Sequence, residues 1–321
     1  MRRTRSRAIV GIVVYGAGGA GGHFGARLAR AGEDVTFIAR GEHLEAIRAR
    51  GLVVETPDGE IRIDPARATA DPGAVTGADA VLLGVKTWQV EEAGRAMATA
   101  LSGETFVVPL QNGVDAADQL ARTVGEGRVV GGLCATFSFV VAPGRIRSLG
   151  AFHSVRFGEL NGQPSERTDR LRSAFDRAGV RATIPPDIHL ALWEKFLFVV
   201  PFGSVGAFRK APIGETRSDP ETRAMLERGM REILAVARAR GVALPDEAVP
   251  AAMGFIDSLD PKGTASLQRD LAEGRPSELE AWTGAVVRLG REAGVATPLH
   301  AEIYAALLPL ERAARERISS S

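Results

Sequence analysis

The sequence predicts an α/β domain with a parallel sheet over residues 1–186, followed by an all-helical domain over residues 187–321. Two observations favour the first domain: an apolar run leads into a glycine-rich turn near the N-terminus, and further apolar runs then alternate with amphipathic segments. One observation favours the second domain, because every periodic segment after Pro185 and Pro186 has helical spacing. We therefore place the domain boundary at these two prolines.

The glycine-rich turn is the feature that defines the first domain. The apolar run 8–14 predicts a buried parallel strand, and Phe24, Leu28 and Ala31 then recur at helical spacing. The glycines between them fit G-x-G-x-x-G, the Rossmann-type motif that permits a tight turn, the approach of a pyrophosphate and close helix packing. Free N–H groups at the start of the helix attract the same phosphates. The predicted cofactor-binding residues of this turn are Gly16, Ala17, Gly18, Gly19, Ala20 and Gly21.

The second apolar run, residues 34–40, indicates which dinucleotide binds. In a site for NAD this strand normally ends in Asp or Glu, which hydrogen-bonds the ribose 2′-hydroxyl. Here it ends in Arg40, whose planar guanidinium suits the 2′-phosphate of NADP. The alternative is a solvated surface arginine. We predict NADPH as the cofactor and Arg40 as one of its ligands.

The rest of the first domain continues the alternation of strands and helices. A helix over 42–50 leads to a hairpin with an Asp-Gly turn. Two more parallel strands end near Lys86 and Asn112, and ligands bind outside the carboxyl ends of such strands. We therefore expect both residues in one crevice with the glycine turn and Arg40. The other predicted elements are strands at 52–55, 61–63, 78–86, 105–110, 131–141, 145–148, 154–157 and 180–184, and helices at 90–101 and 165–177.

The composition excludes several classes of protein. Apolar residues make up 45% and charged residues 25% of the 321 residues, as in soluble globular proteins. The net charge of +1 gives no reason to expect nucleic acid or an anionic membrane as a partner, and no uninterrupted apolar stretch spans a bilayer. The single cysteine, Cys134, allows no intrachain disulfide and is consistent with a reducing cytoplasm. The five histidines lack metal-ligand spacing, so we predict no metal site.

The second domain is predicted to consist of helices, with the substrate bound between it and the first domain. A strongly apolar helix at 188–200 begins it, and amphipathic helices at 221–240 and 278–293 are each followed by a glycine. Apolar helices of this kind are compatible with a homodimer. Shorter helices are predicted at 247–259, 265–272 and 299–317.

A reductase needs a group that protonates or polarises the carbonyl oxygen as negative charge develops on it. Lys195 is the first candidate, because it lies among Trp193, Phe196 and Phe198 on the first helix of the second domain. A lysine in such surroundings either extends to solvent or is held where desolvation lowers its pKa. Its place at the start of the helical domain favours the second alternative.

Two polar stretches of the second domain supply further candidates. One contains Ser266, and the other contains Ser277, Glu278 and Glu280. Ser277 and Glu280 have the spacing of a capping box, which assigns Glu280 a structural role. Glu278 has no such structural role and is therefore the better candidate for the site.

Taken together, these features resemble the ketopantoate reductase (2-dehydropantoate 2-reductase) family, from about residue 9 to about residue 310. The order of the motifs carries the resemblance. They are the glycine turn, Arg40, and the segments 85–90, 111–113, 192–195 and 274–278. The family implies NADPH-dependent reduction of ketopantoate to pantoate, a step of pantothenate synthesis in the cytoplasm.

The resemblance also implies a role for each candidate residue. Lys195 would be the general acid that protonates the ketone oxygen as hydride reaches C2, and Glu278 would help to hold the substrate and the lysine. Ser266 would contact the substrate carboxylate, Asn112 would lie between nicotinamide and substrate, and Lys86 would line the cofactor site.

Three positions depart from the family pattern. The asparagines usual four and eight residues after the lysine are Val199 and Gly203 here, and a third, three residues before the serine, is Gly263. A site built to hydrogen-bond a hydroxyl rejects analogues that lack it, so the loss of these amides favours a more apolar 2-oxo acid. Two alternatives to ketopantoate reduction therefore stay open: reduction of such an acid, and a dinucleotide-binding sensor without turnover. Because Lys195 and Glu278 are retained, the sensor is the weaker alternative.

Overall fold

The first strand, β1 (Ile12–Tyr15), lies at the centre of a parallel sheet and is buried along its whole length. It belongs to a computed structural model of the chain, which describes residues 11–319 except for the side chains at 151, 152, 318 and 319. Residues 8–10 of the predicted first strand lie outside the described part.

Four further strands complete this parallel sheet: β2 (Val35–Ile38), β5 (Arg67–Thr69), β6 (Ala80–Leu83) and β7 (Phe106–Pro109). Their order across the sheet is β5-β2-β1-β6-β7, and every neighbouring pair is parallel. The predicted parallel sheet is confirmed. The edge strand β5 escapes prediction because it is short and not apolar. The helices of this region are α1 (Gly19–Arg30), α2 (Gly41–Arg50), α3 (Val90–Met97), α4 (Ala116–Val124) and α5 (Glu166–Arg177).

A second sheet contains the predicted hairpin and three further strands. The hairpin joins β3 (Leu52–Thr56) to β4 (Gly59–Ile63) through a two-residue loop, and Gly59 has a φ of +115°. The remaining strands are β8 (Val130–Ala142), β9 (Arg145–Glu159) and β10 (Arg181–Thr183). The order is β10-β9-β3-β4, with β8 paired antiparallel to β9.

The prediction of two separate strands at 145–148 and 154–157 is wrong, because both belong to β9. The apolar alternation is interrupted around Gly150, which has a φ of +75°. The ladder with β8 nevertheless continues past this point, with shifts of register between Ala135 and Phe137 and between Val140 and Ala142. An interruption of the side-chain pattern therefore does not interrupt the hydrogen-bonded strand.

From Ile188 onwards the described chain is helical. It begins with α6 (Ile188–Arg209), which is equalled in length by α12 (Pro298–Ser319). Between them lie α7 (Ile213–Ser218), α8 (Pro220–Ala239), α9 (Ala248–Ser258), α10 (Ser266–Ala272), a π segment (Glu280–Gly284) and α11 (Ala285–Glu292). The predicted helical domain is confirmed.

The first helix of this region runs further than predicted. The prediction ended it at residue 200, but α6 continues through Pro201 to Arg209. Proline removes one backbone hydrogen bond, and burial of Phe202 and Val205 in the helical core offsets that loss. By length and composition α6 could also cross a bilayer, yet 78% of its most apolar window is buried inside the protein, as in a core helix.

The helix predicted at 278–293 also differs, since it begins as a π segment at Glu280 and becomes α-helical at Ala285. Glu278 therefore precedes the helical turns. A π turn carries one extra residue per hydrogen-bonded ring, which periodicity in a sequence does not reveal, and such turns are frequent at functional sites.

The chain divides into two units after Ile188, with one exception. The segment Asn112–Val114, which directly follows the parallel sheet, belongs to the second unit. Val114 packs, partly buried, against the apolar core formed by the helices of that unit. The chain thus passes between the units three times, at residues 111–112, 114–115 and 188–189.

Candidate active site

The glycine turn follows β1 and is held by closely packed backbone. Gly16 has a φ of +100°, and a Cβ there would lie 2.8 Å from the backbone nitrogen of Val85. A Cβ on Gly21 would overlap the carbonyl oxygen of Gly16. The N–H groups of Gly16 and Ala17 donate to the carbonyl oxygen of Ile38, at 3.0 and 3.2 Å. The first and last motif glycines are therefore required by the backbone around them.

The middle glycine of the motif, Gly18, is needed for a different reason. It caps the N-terminus of α1, and no other part of the chain within residues 11–319 lies within 4 Å of the position that a Cβ would take. This space lets a phosphate reach the start of α1, whose first turn carries no acidic side chain. Gly19 and Ala20 form that first turn, where Gly19 lies so close to Ser138 of β8 that a Cβ would overlap its carbonyl. The turn therefore fits a pyrophosphate.

His43 holds the glycine turn from outside, a function that sequence reasoning missed. Its Nδ1 accepts a hydrogen bond from the N–H of Gly144, at 3.1 Å. Its Nε2 lies 2.8 Å from the carbonyl oxygen of Ala17, so the neutral ring carries its proton on Nε2 and donates there. The only signal in the sequence is position, because His43 lies three residues after the strand that ends at Arg40.

Arg40 lies where β2 gives way to α2, as the NADPH hypothesis requires. Its side chain is 61% exposed, and both terminal nitrogens lie 3.4 Å from Oε1 of Glu92 on α3. An exposed pair of this length holds the guanidinium weakly. Burial raises the pKa of the neighbouring Tyr15 phenol at the end of β1, and the Arg40 charge opposes this rise.

Lys86 follows β6 at the same edge of the sheet, and its ammonium lies 5.8 Å from the centroid of the Trp88 ring. Gln111, to which sequence reasoning assigned no role, stabilises the backbone just before this lysine. Its Nε2 donates to the carbonyl oxygens of Leu83 and Val85, at 3.0 and 2.8 Å. The predicted glycines, Arg40 and Lys86 therefore all belong to the first unit, at the carboxyl edge of the parallel sheet.

In the second unit, Lys195 lies half-buried on α6 beside Trp193 and Phe196, whose rings meet edge to face at 5.6 Å. Val199 and Gly203 follow it at spacings of four and eight residues and therefore share its face of the helix. Val199 is 9% exposed. One face of α6 thus presents a lysine followed by two apolar positions.

The space beside Gly203 is filled by an aromatic ring. A Cβ on Gly203 would lie 2.7 Å from Cζ3 of Trp282, which is 1% exposed and belongs to the π segment. The neighbouring residues of the same two elements also meet, since the hydroxyls of Ser204 and Thr283 are hydrogen-bonded at 2.7 Å. Trp282 therefore takes room that an asparagine at Gly203 would need.

Ser266 begins α10, next to the same face of α6. The residue before it, Ala265, has its Cβ 3.3 Å from the position of a Cβ on Gly203. Gly263 lies in a tight turn, in which its N–H donates to the carbonyl oxygen of Asp260 at 2.8 Å. A Cβ on Gly263 would lie 2.9 Å from that oxygen, so this backbone does not readily accommodate an asparagine.

Glu278 is 8% exposed and lies two residues before the start of the π segment. Its carbonyl oxygen accepts a hydrogen bond from the N–H of Trp282, at 3.0 Å. One residue earlier, both the N–H and the hydroxyl of Ser277 donate to Glu311 of α12, at 2.8 and 2.5 Å. Glu311 is a further residue that sequence reasoning missed, because it lies 34 residues away in a stretch of charged helix.

The predicted capping box between Ser277 and Glu280 is wrong. Ser277 is hydrogen-bonded to Glu311, and the carboxylate of Glu280 accepts a hydrogen bond from the hydroxyl of Tyr304 on α12. Partial burial and then this hydrogen bond raise the pKa of Tyr304 to about 12. The turn does not form the box because the residues around Glu280 are in π rather than α conformation.

Four of the predicted site residues belong to the second unit: Asn112, Lys195, Ser266 and Glu278. The π segment lies near three of them. It packs on α6, which carries Lys195, and it follows Glu278 in the chain. The carbonyl oxygen of Ala281 in this segment also lies 3.4 Å from the position of a Cβ on Gly113, the neighbour of Asn112. Asn112 is assigned to the second unit, and its sharing of a crevice with the glycine turn, Arg40 and Lys86 stays a prediction. Within residues 11–319 no group of three or more His, Cys, Asp or Glu side chains could hold a metal ion.

Comparison with known proteins identifies the family. Residues 12–162 match the family described as ketopantoate reductase PanE/ApbA, and residues 187–311 match its C-terminal counterpart. The chain is 33% identical to 2-dehydropantoate 2-reductase of Mesorhizobium japonicum, over 95% of this chain and 98% of that protein.

Solved structures agree with this match. A PanE/ApbA family ketopantoate reductase from Ralstonia eutropha has a TM-score of 0.87 at 31% identity, covering 95% of this chain and 99% of that one. D-mandelate dehydrogenase, solved with NADH and anilino(oxo)acetate, has the same fold, with a TM-score of 0.86 at 22% identity and coverages of 95% and 99%. The cofactor of this reductase family is a nicotinamide dinucleotide, and the glycine turn described above fits its pyrophosphate. The chain belongs to the ketopantoate reductase family and is an oxidoreductase of that family.

Proposed function

We propose that this enzyme reduces 2-dehydropantoate to pantoate with NADPH, and that it does so in the cytoplasm. The observation that carries the proposal is the arrangement of the second unit, in which Lys195, Ser266 and Glu278 lie on elements that pack together through the π segment. NADPH, when bound, supplies a hydride to C2 of the substrate. The role of this chain is to bind and orient the 2-oxo acid and to deliver a proton to its ketone oxygen.

Lys195 is the general acid in this proposal. Its half-buried place on α6 beside Trp193 and Phe196 limits the water around this side chain. As the hydride reaches C2, the ketone oxygen gains negative charge and takes a proton from Nζ of Lys195. Glu278 holds the substrate and the lysine, and the hydroxyl of Ser266 binds the substrate carboxylate. Asn112 orients the substrate against the nicotinamide.

Oxidation of NADPH, followed by its absorbance, tests this function. Ketopantoate is compared with trimethylpyruvate, which has the same carbon skeleton without the hydroxyl. We expect turnover with the wild type, loss of at least about 100-fold in kcat in Lys195→Ala, and persistence of NADPH binding in that variant. Lys262→Ala, an exposed lysine elsewhere in the same unit, is the matched control. Turnover that survives in Lys195→Ala excludes the lysine as general acid.

NADPH rather than NADH is the preferred cofactor in this proposal, and Arg40 supports the choice. Its exposed guanidinium at the end of β2 is paired only weakly with Glu92, so that a 2′-phosphate can take its place. We expect Arg40→Ala to weaken NADPH binding about 10- to 100-fold and to leave NADH binding nearly unchanged. Titration of the intrinsic or cofactor fluorescence measures both dissociation constants. Equal losses for the two cofactors contradict the 2′-phosphate role.

A second candidate function is reduction of a more apolar 2-oxo acid by the same chemistry. The observation that favours it is Trp282, whose ring occupies the space beside Gly203. On the same face of α6, the position between Gly203 and Lys195 is taken by the apolar Val199. Such a wall offers no amide to the hydroxyl of ketopantoate. D-mandelate dehydrogenase has the same fold, and its solved structure contains anilino(oxo)acetate, an analogue of an aryl 2-oxo acid. This is in keeping with the second candidate function.

The substrate panel separates the two candidates. A value of kcat/KM higher for ketopantoate than for trimethylpyruvate supports the first function, because it requires groups that recognise the hydroxyl. A preference for trimethylpyruvate or benzoylformate supports the second. NADPH binding without turnover of any of these acids contradicts both candidate functions and supports the alternative of a dinucleotide-binding sensor.

A further inference from the structure

The loop before Glu278 is held by the last helix of the chain. Glu311 on α12 is 4% exposed, although it carries a carboxylate. Its Oε2 accepts hydrogen bonds from the backbone N–H of Ser277 at 2.8 Å and from the hydroxyl of Ser277 at 2.5 Å. Its Oε1 lies 2.6 Å from Nε of Arg315, one turn further along α12. A buried carboxylate that accepts two hydrogen bonds from Ser277 and forms an ion pair with Arg315 is held in one orientation.

The same helix holds other atoms of this loop. Nη2 of Arg315 donates to the carbonyl oxygen of Ser277 at 3.3 Å, and Nη2 of Arg317 donates to that of Gly274 at 3.0 Å. The hydroxyl of Ser277, which is fully buried, also accepts a hydrogen bond from the N–H of Leu279 at 3.3 Å. The peptide groups on both sides of Glu278 therefore have fixed partners.

We propose that Glu311 is a positioning residue, which sets the place of Glu278 by holding the backbone and hydroxyl of Ser277. This inference rests on the proposed function, in which Glu278 holds the substrate and Lys195. A shift of about 1 Å in a group that orients a substrate is enough to lower the rate strongly. Glu311 acts through Ser277 and does not itself contact the reacting atoms.

The experiment compares Glu311→Gln with Glu302→Gln, an exposed glutamate on the same helix. Glutamine has nearly the same shape but only one acceptor oxygen, so at least one donor of Ser277 or Arg315 loses its partner. We expect Glu311→Gln to lower kcat about 10- to 100-fold, with the KM for NADPH changed by less than about twofold. Glu302→Gln should leave both values unchanged.

A double-mutant cycle distinguishes positioning from a general effect on the fold. In a Glu278→Gln background, Glu311→Gln should cause no further loss in kcat beyond about twofold, because the residue through which it acts is already removed. Losses that multiply in the double variant overturn the proposal. If Glu311→Gln does not fold, Ser277→Ala tests the same contact, since it removes one of the two donors and leaves the carboxylate in place.

The outcomes also separate this inference from the function on which it rests. A wild type that binds NADPH but reduces no 2-oxo acid overturns the proposed function and, with it, the role of Glu311. An active wild type whose kcat is unaffected by Glu311→Gln overturns the role of Glu311 alone.

Discussion

The two units hold their candidate residues in different ways. In the first unit the glycine turn is formed mainly by backbone packed on backbone, as between Gly21 and Gly16, and the side chain of His43 holds it from outside. In the second unit the site depends on side chains from separate helices, as where Trp282 fills the space beside Gly203. The glycine turn therefore depends on a short motif, whereas the candidate site of the second unit can change one side chain at a time.

The largest effect is expected where backbone meets backbone. Gly21→Ala places a methyl group on the carbonyl oxygen of Gly16, and neither group can move without opening the turn. We expect a loss of about 3 kcal/mol or more in the free energy of unfolding, measured by chemical denaturation, together with loss of dinucleotide binding.

Gly18→Ala is the matched control for that variant, because nothing lies within 4 Å of its new methyl group. Its stability should fall by less than about 1 kcal/mol, through the poorer helix cap, while dinucleotide binding weakens because the phosphate approaches there. If both variants lose the same stability, the turn does not depend on backbone packing in the way described.

The next effect tests the side-chain basis of the second unit. Gly203→Asn should lower the free energy of unfolding by about 1–3 kcal/mol, because its side chain meets the ring of Trp282. Trp282→Leu should also destabilise, because it leaves a cavity. The double variant should be more stable than the sum predicts, by about 0.5–3 kcal/mol, since each change relieves the other. Additive losses would show that the two positions are not coupled.

A third effect is expected at a side chain that is buried inside the first unit. His23 on α1 is fully buried, its Nε2 accepts from Nε of Arg27 at 3.2 Å, and burial, followed by the Arg27 and His153 charges, lowers its pKa to about 3. The unfolded chain binds this proton near pH 6.5 and the folded chain only near pH 3. His23 therefore makes stability fall as the pH drops from 6.5 towards 3.

Replacement by glutamine tests this directly. His23→Gln keeps an acceptor for Arg27 but has no titrating group, so its stability should depend less on pH by up to about 1.4 kcal/mol per pH unit in that window. Denaturation at a series of pH values between about 7 and 4 measures the difference between variant and wild type. Identical slopes would mean that His23 binds its proton as readily in the folded protein as in the unfolded chain.

The smallest effect is expected at the exposed edge of the dinucleotide site. In the proposed function Glu92 would compete with the 2′-phosphate of NADPH for Arg40, and the pair of Arg40 and Glu92 is exposed and long at 3.4 Å. We expect Glu92→Gln to strengthen NADPH binding about two- to threefold and to leave NADH binding unchanged, as measured by fluorescence titration. Weaker NADPH binding in this variant would indicate that Glu92 orients Arg40 rather than competing for it.

The sequence was sufficient to predict those features that depend on local pattern. The parallel sheet, the hairpin at residues 52–63 and the helical second domain are all confirmed, because apolar periodicity and turn residues determine them. The extent of β9 and α6 was predicted less well. In both cases a local breaker, Gly150 or Pro201, is outweighed by pairing or burial that involves distant residues.

The candidate site divides along the same line. The glycine turn and Arg40 were predicted from one short stretch, and the structure has them on adjacent strands of one sheet. The π segment, the ring of Trp282 against α6 and the contact between Glu311 and Ser277 were not predicted. The contacts of Trp282 and of Glu311 join residues far apart in the chain, and no spacing rule in the sequence connects them. The π segment is local, but it carries an extra residue that helical periodicity does not reveal.

The segment Asn112–Val114 has a consequence for how such enzymes can be recombined. It lies in the sequence of the first domain but packs with the helices of the second unit. A hybrid made from two relatives by a single crossover near Ile188 would take these three residues from one parent and the helices they contact from the other. Exchange of the helical unit as a self-consistent module therefore requires residues 112–114 to be exchanged with it.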